Sequence, residues 1–153
     1  MGARVVPFSE YQAAVGTEVG VSEWLAVNQE RIDGFADVTL DHQYIHVDPE
    51  AAKASPFGGT IAHGFLSLSL LSAFAANAVP TLEGQRTAVN FGFNSIRFLS
   101  PVRSAGRIRA RFELKAVGIR SPGVIQSTFG VTVEIEDGAK PALVAEWLTL
   151  AYL

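Results

Sequence analysis

Cysteine is absent from all 153 residues, which removes disulfides, thiolate nucleophiles and thiolate metal sites together. Charge is sparse: 18% of residues are charged, the net charge is −3, and no nucleic-acid recognition motif is present. Long hydrophobic runs are also missing. The longest, Phe65 to Val79, is interrupted by Ser67, Ser69, Ser72 and Asn77, and it falls short of the roughly 20 residues a membrane span needs. The opening MGARVVPFSEYQAAVG lacks the apolar centre of a secretion signal, because Pro7, Ser9 and Glu10 break it. Repeats, linkers and low-complexity segments are lacking too. These absences predict a single soluble, cytoplasmic domain over residues 1–153 that binds neither nucleic acid nor membrane.

What is present reads as globular, with 48% hydrophobic residues. GVSEWLAV (20–27) suits a strand, and Asn28 can cap a helix over QERIDGFADVT. Asp48, Pro49 and Glu50 have the order of N-cap, first helical position and acidic first turn. A third helix is predicted from about His63 to Val79, ending at Pro80. Its apolar residues surround it, which predicts burial on all sides. RTAVNFGFNSIRF, GRIRARFELKAV, GVIQSTFGVTVEIE and KPALVAEWLTLAYL read as strands, separated by SPVRSAG, GIRSPG and a hairpin at Asp137-Gly138. The fold class is therefore α+β, a long buried helix wrapped by an antiparallel sheet. The open edges of that sheet favour a homodimer.

Basic residues are unevenly spread. Eight of the twelve lie between Arg86 and Arg120, where Glu113 is the only acid. Arg107, Arg109 and Arg111 alternate with Ile108, Ala110 and Phe112, giving a half-buried strand with a basic outer face. That face is either solvated or a landing surface for an anionic ligand such as a phosphorylated carrier.

The three histidines all fall in one window, in DHQYIHVD (41–48) and GGTIAHGF (58–65). A metal site needs three or four converging ligands. His42 and His46 would share a helix face, yet Tyr44, Ile45 and Val47 favour an extended path and Asp48 reads as a cap. An acid–base pair needs only a carboxylate and an imidazole at one water, and Asp41 and His46 can supply them; a purely structural pair stays open. FGGTIAHG then brings a glycine-rich turn to a helix start, where unpaired amides suit a developing negative oxygen. His63 itself reads as a helix-start histidine satisfied by backbone.

The stretch FADVTLDHQYIHVDPEAAKASPFGGTIAHGF (35–65) resembles the signature of the MaoC-like, (R)-specific enoyl-CoA hydratases. That signature runs Asp-x-Asn-Pro-x-His-x-Asp, a spaced alanine, then Phe-Gly-Gly-x-Ile-x-His-Gly. FNSIRFLSPVRSAGRIR is similar to the family's strand-and-turn segment, and the likeness is nearest to the NodN-like and mycobacterial 3-hydroxyacyl-thioester dehydratase branch. The resemblance implies a hot-dog fold, a homodimer, and hydration of trans-2-enoyl-CoA to (3R)-3-hydroxyacyl-CoA, or the reverse. With no cysteine and no convincing metal set, the reaction is expected to need no cofactor and no metal. Carried onto this chain, the resemblance makes Asp41 and His46 the catalytic dyad and the Gly64 amide the oxyanion donor. Gln43-Tyr44 stands where the family has Asn-Pro, and Leu40 where a glycine often precedes the aspartate. Substrate contacts are expected from Gln43, Gly59, Asn90 and Asn94, the two asparagines sharing a strand face with Gly92. The same fold also serves thioesterases and non-catalytic acyl-thioester binders. The thioesterases place a carboxylate on or near the long helix, where this chain offers only Glu83, just past its end.

Overall fold

Apolar–polar alternation in the second half of the chain becomes four long antiparallel strands in the computed structural model, which describes residues 4–153. In chain order the elements are β1 (Val5–Val6), α1 (Phe8–Ala13), β2 (Glu18–Val21), β3 (Leu25–Val27), α2 (Gln29–Thr39), α3 (Tyr44–Val47) and α4 (Pro49–Ala52). There follow α5 (Gly64–Ser69), α6 (Leu71–Ala78), β4 (Thr81–Leu82), β5 (Thr87–Phe98), β6 (Gly106–Ser121), β7 (Val124–Ile135) and β8 (Leu143–Tyr152). The main sheet runs β2-β6-β7-β8-β5, with β3 also on β6; β1 and β4 form a small parallel pair. An antiparallel sheet with a helix packed against it is the α+β, hot-dog arrangement expected. Among the described residues, no helix is long and apolar enough to cross a membrane.

Burial follows the alternation. Ile108, Ala110, Phe112 and Leu114 of β6 are wholly buried, as are Val133 and Leu143 of the neighbouring strands. Phe112, Phe129 and Trp147 meet with ring centroids 5.9–6.2 Å apart. Burying one such side chain contributes about 1.5–3 kcal/mol. Helix and sheet approach closely at Gly20, where a Cβ would stand 2.1 Å from the Ala78 carbonyl oxygen. Only glycine fits there.

Three elements differ from the sequence expectation. The strand expected over 20–27 is two strands, because the Ser22 Oγ accepts the Ala110 N–H at 2.9 Å and diverts the ladder. The loop expected at GIRSPG shrinks to Pro122-Gly123, with Gly123 at φ +74 and β6 running on to Ser121. Proline followed by a positive-φ glycine is the signature of a tight turn. The helix expected from His63 starts at Gly64 and hitches at Leu70, whose ψ of −10 divides α5 from α6. It is not buried all round: Leu66, Leu71 and Phe74 face the core while Phe65 is 66% exposed. The Asn28 and Asp48 caps form as expected, accepting from the amides of Arg31 and Ala51 at 3.0 Å each. The turn at Asp137-Gly138 joins β7 to β8, with Asp137 at φ +59.

Candidate active site

The site begins where α2 ends. Leu40 takes the left-handed conformation, φ 61 and ψ 21, at the position where the resembling family often carries glycine. The reversal presents Asp41, whose Oδ1 accepts the Gln43 amide at 3.3 Å. Gln43 thus contributes its main chain, and its side chain is exposed. Residues 44–47 then form the short helix α3 instead of the extended path expected from Tyr44, Ile45 and Val47. The His46 amide reaches the Gln43 carbonyl at 2.9 Å and the Asp48 amide the Tyr44 carbonyl at 3.0 Å, and these bonds override the weak β preference of branched side chains. Extended backbone returns at Asp48, the residue before Pro49.

This turn carries His46 inward. Its Nδ1 lies 2.7 Å from the Ile61 carbonyl oxygen. A carbonyl only accepts, so Nδ1 carries a proton, and in the neutral ring Nε2 holds the lone pair. His63 lies flat against it, ring centroids 3.8 Å apart at 24°. The His63 Nε2 donates to the Asp41 main-chain oxygen at 2.9 Å and lies 4.0 Å from Asp41 Oδ2. Backbone does satisfy that nitrogen, as the sequence led us to expect. The carbonyl belongs to Asp41, however, and this brings His63 into the site. Its Nδ1 is buried without a hydrogen-bond partner, a cost of about 1–3 kcal/mol. Asp41 is 54% exposed at the side chain while both imidazoles are buried. His42 points elsewhere, to Asp37 at 2.8 Å on the surface.

Gln29, which the sequence reading passed over, ties the pieces together. Its Nε2 donates to the His46 carbonyl at 2.7 Å and to Asp33 at 2.8 Å, and its Oε1 accepts from Thr60 Oγ1 at 2.6 Å. One side chain therefore fixes α2, the His46 helix and the glycine-rich turn. In that turn the positive φ falls at Gly58 (+69), whereas a Cβ on Gly59 would meet nothing within 4 Å. Gly64 is the first residue of α5, so no helical carbonyl can take its N–H. A Cβ there would stand 2.9 Å from the exposed Phe98 ring, which would have to shift to admit it. His46, Phe57, Gly64, Ser67 and Phe98 line one cavity of about 350 Å³.

Asn90 and Asn94 are separated from this cavity and from each other. Register shifts at Asn90/Gly92 and Phe93/Ser95 interrupt the alternation of β5. Asn90 lines a second cavity of about 610 Å³ beside α6, at 3.4 Å from Ser72 Oγ. In the same cavity wall Tyr11 meets Ser127 at 3.2 Å, and burial pushes its phenol up from its ordinary value against the smaller pull of that hydrogen bond. Asn94 donates to Glu146.

Asp41, His46 and His63 each offer a ligand atom within 4.8 Å of the others. A metal ion lies in the plane of each imidazole it binds, and two stacked rings 3.8 Å apart cannot both point in-plane at one ion. The basic face of β6 is also differently disposed than a landing surface requires. Arg107 meets Glu136 at 2.8 Å and Arg109 meets Glu134 at 2.6 Å. Arg111 meets Glu134 at 3.2 Å and Glu18 at 3.6 Å.

Comparison with known proteins places this geometry. Residues 10–135 match the model of the MaoC like domain. The chain is 49% identical over 143 residues to nodulation protein N of Rhizobium leguminosarum bv. viciae, covering 93% of this chain and 89% of that one. It is 47% identical over 138 residues to 3-hydroxyacyl-thioester dehydratase Z of Mycobacterium tuberculosis, covering 90% and 91%. Among solved structures, a monoamine oxidase regulatory protein from Archaeoglobus fulgius superposes with a TM-score of 0.78 at 26% identity, covering 99% of this chain and 98% of that one. An unliganded R-hydratase from Pseudomonas aeruginosa shares the fold, with a TM-score of 0.73 at 22% identity over 99% and 89%. The chain belongs to the MaoC-like dehydratase family.

Proposed function

We propose that the protein adds water to a trans-2-enoyl thioester, giving the (3R)-3-hydroxyacyl thioester, and catalyses the reverse dehydration. The observation that carries this reading is the contact of His46 Nδ1 with the Ile61 carbonyl. In the neutral ring it leaves Nε2 as the base, and a His46 ring nitrogen lies within 4.8 Å of an Asp41 carboxylate oxygen. The thioester oxygen accepts the Gly64 amide, which draws electrons from the double bond. Asp41 and His46 hold one water. Its oxygen bonds to C3 as the C2–C3 π bond breaks, one dyad member takes the water proton, and a proton is delivered to C2. The identity of nearly half the residues with a protein named as a 3-hydroxyacyl-thioester dehydratase supports the substrate class. In this account the water is activated by side chains alone, with no cofactor or metal.

We further propose a homodimer. β5 ends the sheet, so its outer edge is unpaired, and Val89, Phe91, Phe98 and Leu99 are exposed beside Phe65. An apolar edge of twelve residues is a template for a second copy. A thioesterase reading is disfavoured, because neither α5 nor α6 carries a carboxylate and Glu83 is exposed beyond β4.

Asp41→Asn and His46→Ala test the shared-water mechanism. Each should slow hydration at least ~100-fold, and the double variant should be little slower than either single one. Additive losses, or a normal rate in Asp41→Asn, would refute it.

A further inference from the structure

The arginine-rich stretch 86–120 divides in the fold, and Arg103 is the member placed against the candidate site. Arg107, Arg109 and Arg111 are neutralised across strands by Glu136, Glu134 and Glu18, and Lys115 by Glu113. Arg120 donates to Gln126 and lies over the Phe91 ring. Among the described residues Arg103 has no acidic partner, and its side chain is exposed.

Its main chain, by contrast, is tightly held. Arg103 bridges Ile61 in antiparallel fashion, and the Ile61 carbonyl is the one that fixes His46. On either side the Ala62 amide bonds the Val102 carbonyl at 2.8 Å and the Ser104 amide bonds the Thr60 carbonyl at 3.0 Å. The guanidinium lies across the glycine turn, with its terminal nitrogens 3.7 and 3.9 Å from where a Cβ on Gly58 would stand. Gly58 follows Phe57, a wall of the cavity that holds His46 and Gly64. A permanent cation, with no acidic partner among the described residues, therefore lies beside the turn that supplies Phe57 to that cavity.

We infer that Arg103 is the subsite for the phosphate of the substrate's carrier arm, the phosphate that coenzyme A and an acyl carrier protein share through phosphopantetheine. The inference rests on the thioester reading above. A planar guanidinium suits a phosphate through paired, charge-assisted hydrogen bonds. The Arg103 main chain is bridged to Ile61, three residues before Gly64, whose amide takes the thioester oxygen in that reading.

Binding of unreactive saturated thioesters tests this independently of turnover. Hexanoyl-CoA, hexanoyl-phosphopantetheine and hexanoyl-pantetheine would be titrated calorimetrically into the wild type, Arg103→Ala and Arg107→Ala. Arg103→Ala should weaken the two phosphorylated ligands about tenfold, as a lost charge-assisted contact of 1.4 kcal/mol predicts. It should leave hexanoyl-pantetheine within twofold. Arg107→Ala, whose charge Glu136 already balances, should change none of them. Equal weakening of all three ligands, no weakening of any, or no binding to the wild type would each overturn the subsite. Weakening of the CoA ligand alone would move the contact to the adenosine phosphates and overturn the assignment to the shared one. A wild type that binds with this phosphate dependence but hydrates no enoyl thioester would leave the subsite standing and refute only the reaction.

Discussion

β5 and β7 are both twelve-residue strands hydrogen-bonded to the two edges of β8, yet only β7 is covered. Along β7, buried and half-exposed residues alternate, and its outward Glu134 balances Arg109 and Arg111. Along β5 nearly every position is open, including Phe91 at 47% exposure, which the register shift between Asn90 and Gly92 leaves unpaired. One side of the sheet satisfies its own apolar and charged groups. The other does not, and there lies the Phe98 ring over Gly64, a wall of the cavity with His46. The difference teaches that this protomer completes its core on one side and leaves an apolar edge open on the other.

Truncations on the two sides should differ most. Phe112→Ala, in the finished half, should lower unfolding stability by about 3–5 kcal/mol in a denaturant titration. Phe91→Ala should cost the isolated protomer no more than ~0.5 kcal/mol, as an exposed position does. Comparable losses would remove the distinction between the two sides. Next in size is assembly. Light scattering at micromolar concentration should give twice the 16.3 kDa protomer mass, and Phe91→Glu should reduce it to the single mass with circular dichroism unchanged. A monomeric wild type would sink the dimer. The smallest effect lies at the door of the site. Leu40 is 81% exposed and held at φ 61, so Leu40→Gly should stabilise the fold by about 1 kcal/mol by removing left-handed strain. A destabilised Leu40→Gly would mean that the side chain has a contact outweighing that strain.

The features legible in the sequence were those set by near neighbours. Alternation in β6 and β7 fixed which residues face the core, and Asn28 and Asp48 announced helices by bonding amides three residues on. The carboxylate and imidazole that come together, Asp41 and His46, were legible from a spacing that the resembling family shares. The missed features depend on distant partners. His63 joins the site through Asp41 and His46, 22 and 17 residues earlier. The basic face of β6 is neutralised by glutamates that arrive only after the hairpin, Glu134 and Glu136. Gln29 looked like an ordinary polar residue in a helix's first turn, and its hydrogen bonds to His46 and Thr60 appear only once α2 docks beside the glycine turn. The helix α3 was hidden for the opposite reason: its hydrogen bonds are local, but they run against the preference of Ile45 and Val47.

The central claim is that the open side of the molecule delivers one water to one face of a thioester pinned at Gly64. Chiral analysis of the product formed from short- and medium-chain trans-2-enoyl-CoAs tests it most directly, with alkene loss and free thiol followed together and a chelator present. The account predicts (3R)-3-hydroxyacyl-CoA alone, at an undiminished rate and without thiol release. An S or racemic alcohol would contradict it, as would release of free coenzyme A with the alkene intact.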